Sequence, residues 1–91
     1  MVRPRICRRL HFRPKAHYFK PQGIPMHNLE EIVLSKEEME AVKLKDFDGL
    51  EQTEAAEKMN TSQSTFQRIL SSARIKIAEA IVKGKALRIE E

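Results

Sequence analysis

The sequence predicts a mainly α-helical domain: a three-helix core behind a basic, proline-containing N-terminal arm, with short strands at its margins. Three observations predict it. Residues 52–71 carry two helical patterns joined by Asn60-Thr61-Ser62. Ser35 and Glu38 read as a capping box ahead of another helical pattern. All four prolines fall within residues 1–28, which show no helical period.

The arm comes first. Ile6, Leu10 and Phe12 share one parity, so residues 5–12 are expected to form a short strand. Pro14, Pro21 and Pro25 make the rest of the arm, up to residue 28, an irregular segment. The arm is therefore assigned to residues 1–28 and the folded helical domain to residues 29–91.

Residues 31–34 (Glu-Ile-Val-Leu) look like a brief strand feeding the first helix. Leu34 and Met39 occupy the hydrophobic-staple positions of that start. The helix is expected to run to about Asp46, burying Met39, Val42 and Phe47. Asp48-Gly49 supplies a turn. The second helix covers roughly residues 52–59; Glu51 is a weak N-cap, although acids suit the first turn of the helix dipole.

Between the second and third helices each diagnostic position is filled. Ala56 falls where two helices cross closely. Asn60 falls where the chain needs φ > 0, which Gly or Asn tolerates best. Ser62 falls where the third helix needs an N-cap. Phe66 and Ile69 fall where that helix must bury itself against its predecessor. The pattern is that of a helix-turn-helix, whose second helix presents its outer face to the DNA major groove.

The third helix meets no breaker between Ser62 and Gly84, as one rod or as two helices bent near Ser71-Ser72. Residues 86–89 form a short C-terminal strand. At about 100° per residue, Phe66, Ile69, Leu70, Ala73, Ile77, Ala80 and Ile81 share one stripe, expected to face the core. Opposite lie Ser64, Thr65, Arg68, Ser71 and Ser72. Small hydroxyls with one arginine suit a groove where side chains approach base edges. Ile75 and Val82 lie on that same outer side. Two apolar residues there need a cover: the arm, the C-terminal strand or a second subunit.

Charge is distributed unevenly. Residues 1–29 hold seven cations and no acid, residues 30–59 ten acids against four lysines, and residues 60–91 six cations against three acids. An acidic middle between basic ends fits a chain whose ends touch phosphate. No stretch reaches the length of a membrane-spanning helix. The basic N-terminus is not followed by an apolar core, so no secretory signal is expected. The lone Cys7 rules out an intramolecular disulfide and suits a reducing cytoplasm, the expected location.

Two constellations invite a chemical reading and fail it. Cys7, His11, His17 and His27 lack the spacing of zinc ligands, so no metal is expected. Glu30-Glu31 and Glu37-Glu38 sit at helix starts, where acids are favoured anyway. No nucleophile, histidine partner or glycine-rich phosphate loop accompanies them. Neither enzymatic activity nor a cofactor or small-molecule substrate is expected.

These residues carry a family resemblance. Leu34-Ser-Lys-Glu-Glu-Met-Glu-Ala-Val-Lys-Leu, Gly49-Leu50, Glu54-Ala-Ala-Glu-Lys-Met and Ser62-Gln-Ser-Thr-Phe-Gln-Arg-Ile-Leu resemble region four of the sigma-factor superfamily. Asn60 stands where that region usually has glycine, and Gln63 where a basic residue is common. Over its full length the chain is closer still to a prokaryotic family, domain-of-unknown-function family 134. Arg3-Pro4-Arg5, Cys7-Arg8 and Phe19-Lys20-Pro21-x-Gly23-x-Pro25 resemble its opening, and Gly84-Lys85-Ala86-Leu87-Arg88-Ile89 its later part. The resemblance implies a DNA-binding role.

The expectation is sequence-specific binding of double-stranded DNA by a transcriptional regulator acting as a homodimer. Ser62 would cap the recognition helix and aim its N-terminus at a phosphate. Gln63, Ser64, Thr65, Gln67 and Arg68 would face the groove. Arg3, Arg5, Arg8 and Arg9 would add phosphate or minor-groove contacts. Two other readings stay open: a sigma-like adaptor that docks a protein, and RNA binding through the basic arm.

Overall fold

The computed structural model describes residues 10–91. Arg3, Arg5, Cys7, Arg8, Arg9 and most of the strand expected over residues 5–12 lie outside that range. In chain order come β1 (Tyr18–Phe19), a 3-10 turn (Met26–Asn28), β2 (Glu31–Leu34) and α1 (Lys36–Val42). A π-helical turn (Lys43–Phe47), α2 (Gln52–Lys58), α3 (Gln63–Lys83) and β3 (Ala86–Ile89) complete the order.

The strands form one sheet in the order β1-β3-β2. β2 and β3 run parallel, with Leu34 opposite Ile89. Parallel neighbours need a long crossover, and here all three helices supply it. β1 pairs antiparallel to β3 on the other side. Residues 10–12, the described part of the strand expected over residues 5–12, hold no strand, and Tyr18–Phe19, within the segment expected to be irregular, forms one. Two residues between Ala16 and Lys20 are too short for any period to reveal. Their partner, β3, lies about seventy residues away in sequence.

Successive strand residues face opposite ways. Leu34 and Ile89 turn inward and are buried, while Glu31 and Arg88 form an ion pair at 3.1 Å. His17 O accepts from Ile89 N at 2.8 Å, and Phe12 N donates to Glu40 Oε1 at 2.8 Å. Residues 10–19 are thus tied across α1 and onto the sheet.

The capping box forms as the sequence implies. Ser35 Oγ accepts from Glu38 N, and Glu38 Oε1 accepts from Ser35 N at 2.8 Å. The end of the helix differs from expectation. The α ladder stops at Val42, and Asp48 N reaches back five residues to Lys43 O at 2.8 Å. The wider turn shifts the register of the residues after it. Leu44 remains in the core, but Phe47, expected there, is 83% exposed.

The long third helix is one rod. Its first half packs Phe66 and Leu70 against Ala41, Leu44, Ala55, Ala56 and Met59, joined by half-buried Ile69. Its second half packs Ala73 and Ile77 against Leu34 and Ile89 of the sheet. Nothing bends it at Ser71-Ser72, because both cores lie on one stripe. The stripe ends earlier than the wheel implies: Ala80 is buried, but Ile81 is 76% exposed. Ile81 lines an open hollow between the end of α3 and the sheet, with Phe19, Pro21 and Leu87. Gly84 closes α3 at φ +65°, a left-handed conformation that glycine adopts most readily, and its N–H donates to Ala80 O.

Candidate nucleic-acid interface

The α2–turn–α3 unit is built from small side chains and two caps. Ala55 and Ala56 are buried, so the two helices approach without a bulky spacer. Met59 and Phe66 are fully buried behind them. Asn60 takes φ +56°, the only positive value among described non-glycine residues. This reverses the chain within two residues, and Thr61 N donates back to Ala56 O at 3.0 Å.

Ser62 then starts α3. Its Oγ accepts from Thr65 N at 3.2 Å and donates to Thr65 Oγ1 at 3.0 Å. Gln52 Nε2 donates to Gln63 O at 3.3 Å, which ties the start of α2 to the start of α3. Glu51 makes no side-chain cap, as its weak capping ability implies. Ser62→Ala is expected to lower stability by about 1 kcal/mol. A urea-unfolding midpoint equal to that of the native chain would count against the cap.

The groove-facing candidates do not all point the same way. Ser62, Gln63, Ser64, Gln67 and Arg68 are exposed along the first turns of α3. Thr65 is half-buried, its hydroxyl engaged by Ser62. Gln67 Nε2 donates to Ser71 Oγ at 3.1 Å, which fixes both on the outer face. Ser72, grouped with that face on the wheel, turns away from it and donates its hydroxyl to Glu38 Oε2. Its position borders the outer face, and the acceptor from α1 decides its direction.

The cations of α3 divide into two kinds. Arg74 forms a two-pronged pair with Asp46 at the end of the π turn. That pair holds the Asp46 carboxyl below its usual range. Lys76 Nζ bonds Glu38 Oε1 at 2.8 Å and Val33 O at 3.0 Å. Glu38 is itself almost fully buried. Burial pushes its carboxyl up, but Lys76, the Ser35 N–H and the Ser72 hydroxyl together hold it below the ordinary value. Sequence reading missed this cluster, because Glu38, Ser72 and Lys76 meet only when α1 crosses α3. Its one legible trace was Glu38 in the capping box. Arg68 and, at the far end of the helix, Lys83 differ from these two: among the described residues neither has a carboxylate within ion-pair distance.

Outside α3, Arg13 and Lys15 are exposed, while Lys20 Nζ is held by Ile24 O at 2.7 Å. Among the described residues no group of three or more His, Cys, Asp or Glu is arranged to hold a metal. No described helix is long and apolar enough to cross a membrane. Neither β3 nor described residues of the N-terminal segment cover the apolar outer residues of α3: Ile75 is 67% and Val82 81% exposed.

Taken together, these features define a small domain in which three helices cross over a three-stranded sheet. Its longest helix presents an uncovered outer face, polar at one end and apolar at the other. The family model described as "Protein of unknown function DUF134" matches residues 1–91, and the chain belongs to that family. It is 57% identical over 90 residues to a "UPF0251 protein" of Desulforudis audaxviator, and 56% to one of Moorella thermoacetica. The match takes in 99% of this chain, but only 59% and 60% of the length of those two relatives. UPF0251 protein DET0218 of Dehalococcoides mccartyi is 61% identical over 90 residues, 77% of its length. No solved structure matches the chain.

Proposed function

We propose that α2, its turn and α3 act as a helix-turn-helix of the sigma region-four kind. On this reading the protein binds double-stranded DNA sequence-specifically, as a cytoplasmic transcriptional regulator. One observation carries the reading. The outer face of the first half of α3 offers Gln63, Ser64, Gln67 and an arginine with no acid beside it, while Arg74 and Lys76 further along are neutralised within the fold and Lys83 stands at the far end of the helix. A side chain left unpaired on an exposed helix face can give two parallel hydrogen bonds to guanine O6/N7, or one to a phosphate. The N-terminus of α3, capped by Ser62, suits a phosphate of the same groove. The cations of residues 1–15 would add contacts to the backbone on either side.

Fluorescence anisotropy with a random duplex pool, single-stranded DNA and single-stranded RNA tests this. Duplex binding should weaken linearly in log affinity against log salt and exceed binding to either single strand. Arg68→Ala should remove about 1–3 kcal/mol at the preferred site if it reads a base, or weaken all duplexes alike if it holds a phosphate. Arg68 lies off the core stripe, so the variant should fold normally. A folded Arg68→Ala that binds every duplex as the native chain does would overturn the groove assignment.

A further inference from the structure

We infer that the second half of α3 is a pairing surface for a second copy of this chain, with the two α3 helices parallel. The outer face of α3 changes character at Ser71. Before it the face is polar. Beyond it stand Ile75, Ala78 and Val82, with 67% and 81% of the surface of Ile75 and Val82 open. No described part of the chain lies over Ile75 or Val82. Two exposed β-branched aliphatics one heptad apart on a single helix face call for a cover.

The spacing names the occupant. Ser71, Ile75, Ala78 and Val82 step by 4, 3 and 4 residues. That is the a/d seam of a two-helix coiled coil, with Ile75 and Val82 at the a positions and Ser71 and Ala78 at d. β-Branched residues at a belong to the pattern of two parallel strands, which sets leucine at d; here Ser71 and Ala78 stand at d. The small residues at d let the helices come close. The flanking charges agree. In a parallel pair a g residue meets the e residue five positions on in its partner. Arg74 is at g and Glu79 at e, so each helix offers the other a cation opposite an acid, twice over by symmetry. Both side chains stand at the surface already engaged, Arg74 with Asp46 and Glu79 with Lys85, so a contact across the pair would widen these two ion pairs into a network. A single surface that complements itself in shape and charge is what a twofold dimer requires.

The next a position toward the N-terminus is Arg68. Two guanidiniums cannot share a dry seam, so pairing ends at Ser71 and the helix halves before it diverge. That places the polar halves as the arms of a fork, in the manner of continuous helices that straddle a major groove. The fork rests on the DNA-binding reading above; the pairing does not.

Light scattering and sedimentation without DNA test the pairing. At high micromolar concentration the native chain should show about twice its 10.6 kDa mass. Ile75→Asp should reduce this to the monomer mass at the same concentration, and should leave helix content by circular dichroism unchanged because Ile75 is exposed. Ala78→Cys in a Cys7→Ser background should oxidise to a covalent dimer, since d positions face each other only in a parallel pair. A native chain at 10.6 kDa, or Ile75→Asp at the native mass, overturns the pairing. A dimer that resists the Ala78→Cys cross-link overturns its parallel arrangement. A cross-linked dimer with no affinity for duplex DNA supports the pairing and removes the DNA reading alone.

Discussion

Phe66→Ala is expected to lower the free energy of unfolding by about 3–5 kcal/mol, the largest loss of any single truncation in the helical core. Phe66 is fully buried where α1, α2 and α3 meet. Three of its buried neighbours are alanines, Ala41, Ala55 and Ala56. Alanines have no flexible side chain to swing into the space, so the cavity persists and the loss should fall near the upper end. A domain of this size holds only about 5–15 kcal/mol in total. The variant should therefore unfold at a much lower urea concentration with an unchanged slope. It should also lose the fixed angle between α2 and α3, and with it any duplex binding. A loss below about 1 kcal/mol would mean that the core does not depend on this ring.

Lys76→Met is expected to cost about 2 kcal/mol at neutral pH, and the cost should shrink in acid. Removing one partner of a buried pair typically costs about 3–5 kcal/mol, because the other charge is left unpaired in a dry site. Lys76 is 36% exposed, so solvent screens part of the interaction and the smaller figure applies. Methionine keeps the aliphatic packing, which isolates the charge.

The pH dependence arises from Glu38. In the native fold its carboxyl titrates below the ordinary 4.5, burial being outweighed by its hydrogen bonds and by the lysine charge. A lowered folded value gives stability that is present above 4.5 and is lost as pH falls through the folded value. Without Lys76 the carboxyl moves up and that gain diminishes. Native and variant should therefore differ most at pH 7 and converge toward pH 3, measured by urea unfolding at each pH. An equal difference at both would assign the effect of Lys76 to packing or to its bond with Val33 O.

Local chemistry decides the features that were legible in the sequence. The capping box of Ser35 and Glu38, the left-handed turn at Asn60, the Ser62 cap, the Gly84 stop, and strands β2 and β3 each depend on residues within four or five positions of one another. Phe66, Leu70 and Ala73 read as core because helical periodicity alone puts them on one stripe. The failures share a cause as well. Phe47 fits the periodicity of α1, but the π turn adds a residue, and the need to bring Leu50 to the core at the start of α2 sets that turn. Ile81 continues the stripe, but it lines an open hollow beside the sheet rather than a filled core. Ser72 lies among outward residues on a wheel, but a carboxylate from α1 draws it inward. β1 is two residues long and exists only because β3 has an unpaired edge beside it.

The candidate site divides the same way. Ser62, Gln63, Ser64, Gln67 and Arg68 could be named from the sequence, because an N-cap and a helical period fix which residues face outward. That Arg68 remains unpaired while Arg74 and Lys76 are neutralised was beyond the sequence, because both of their partners come from other elements of the fold. By itself the sequence determined three helices, the N-caps of α1 and α3, the turn between α2 and α3, two of the strands, and most of the face α3 turns to solvent. Hydrogen bonds and side-chain directions within one or two turns settle all of these. Only the tertiary structure decided which charges are free, where the core stripe stops, and that β1 closes on β3. Those depend on groups brought together across tens of residues, and no local pattern records their distance.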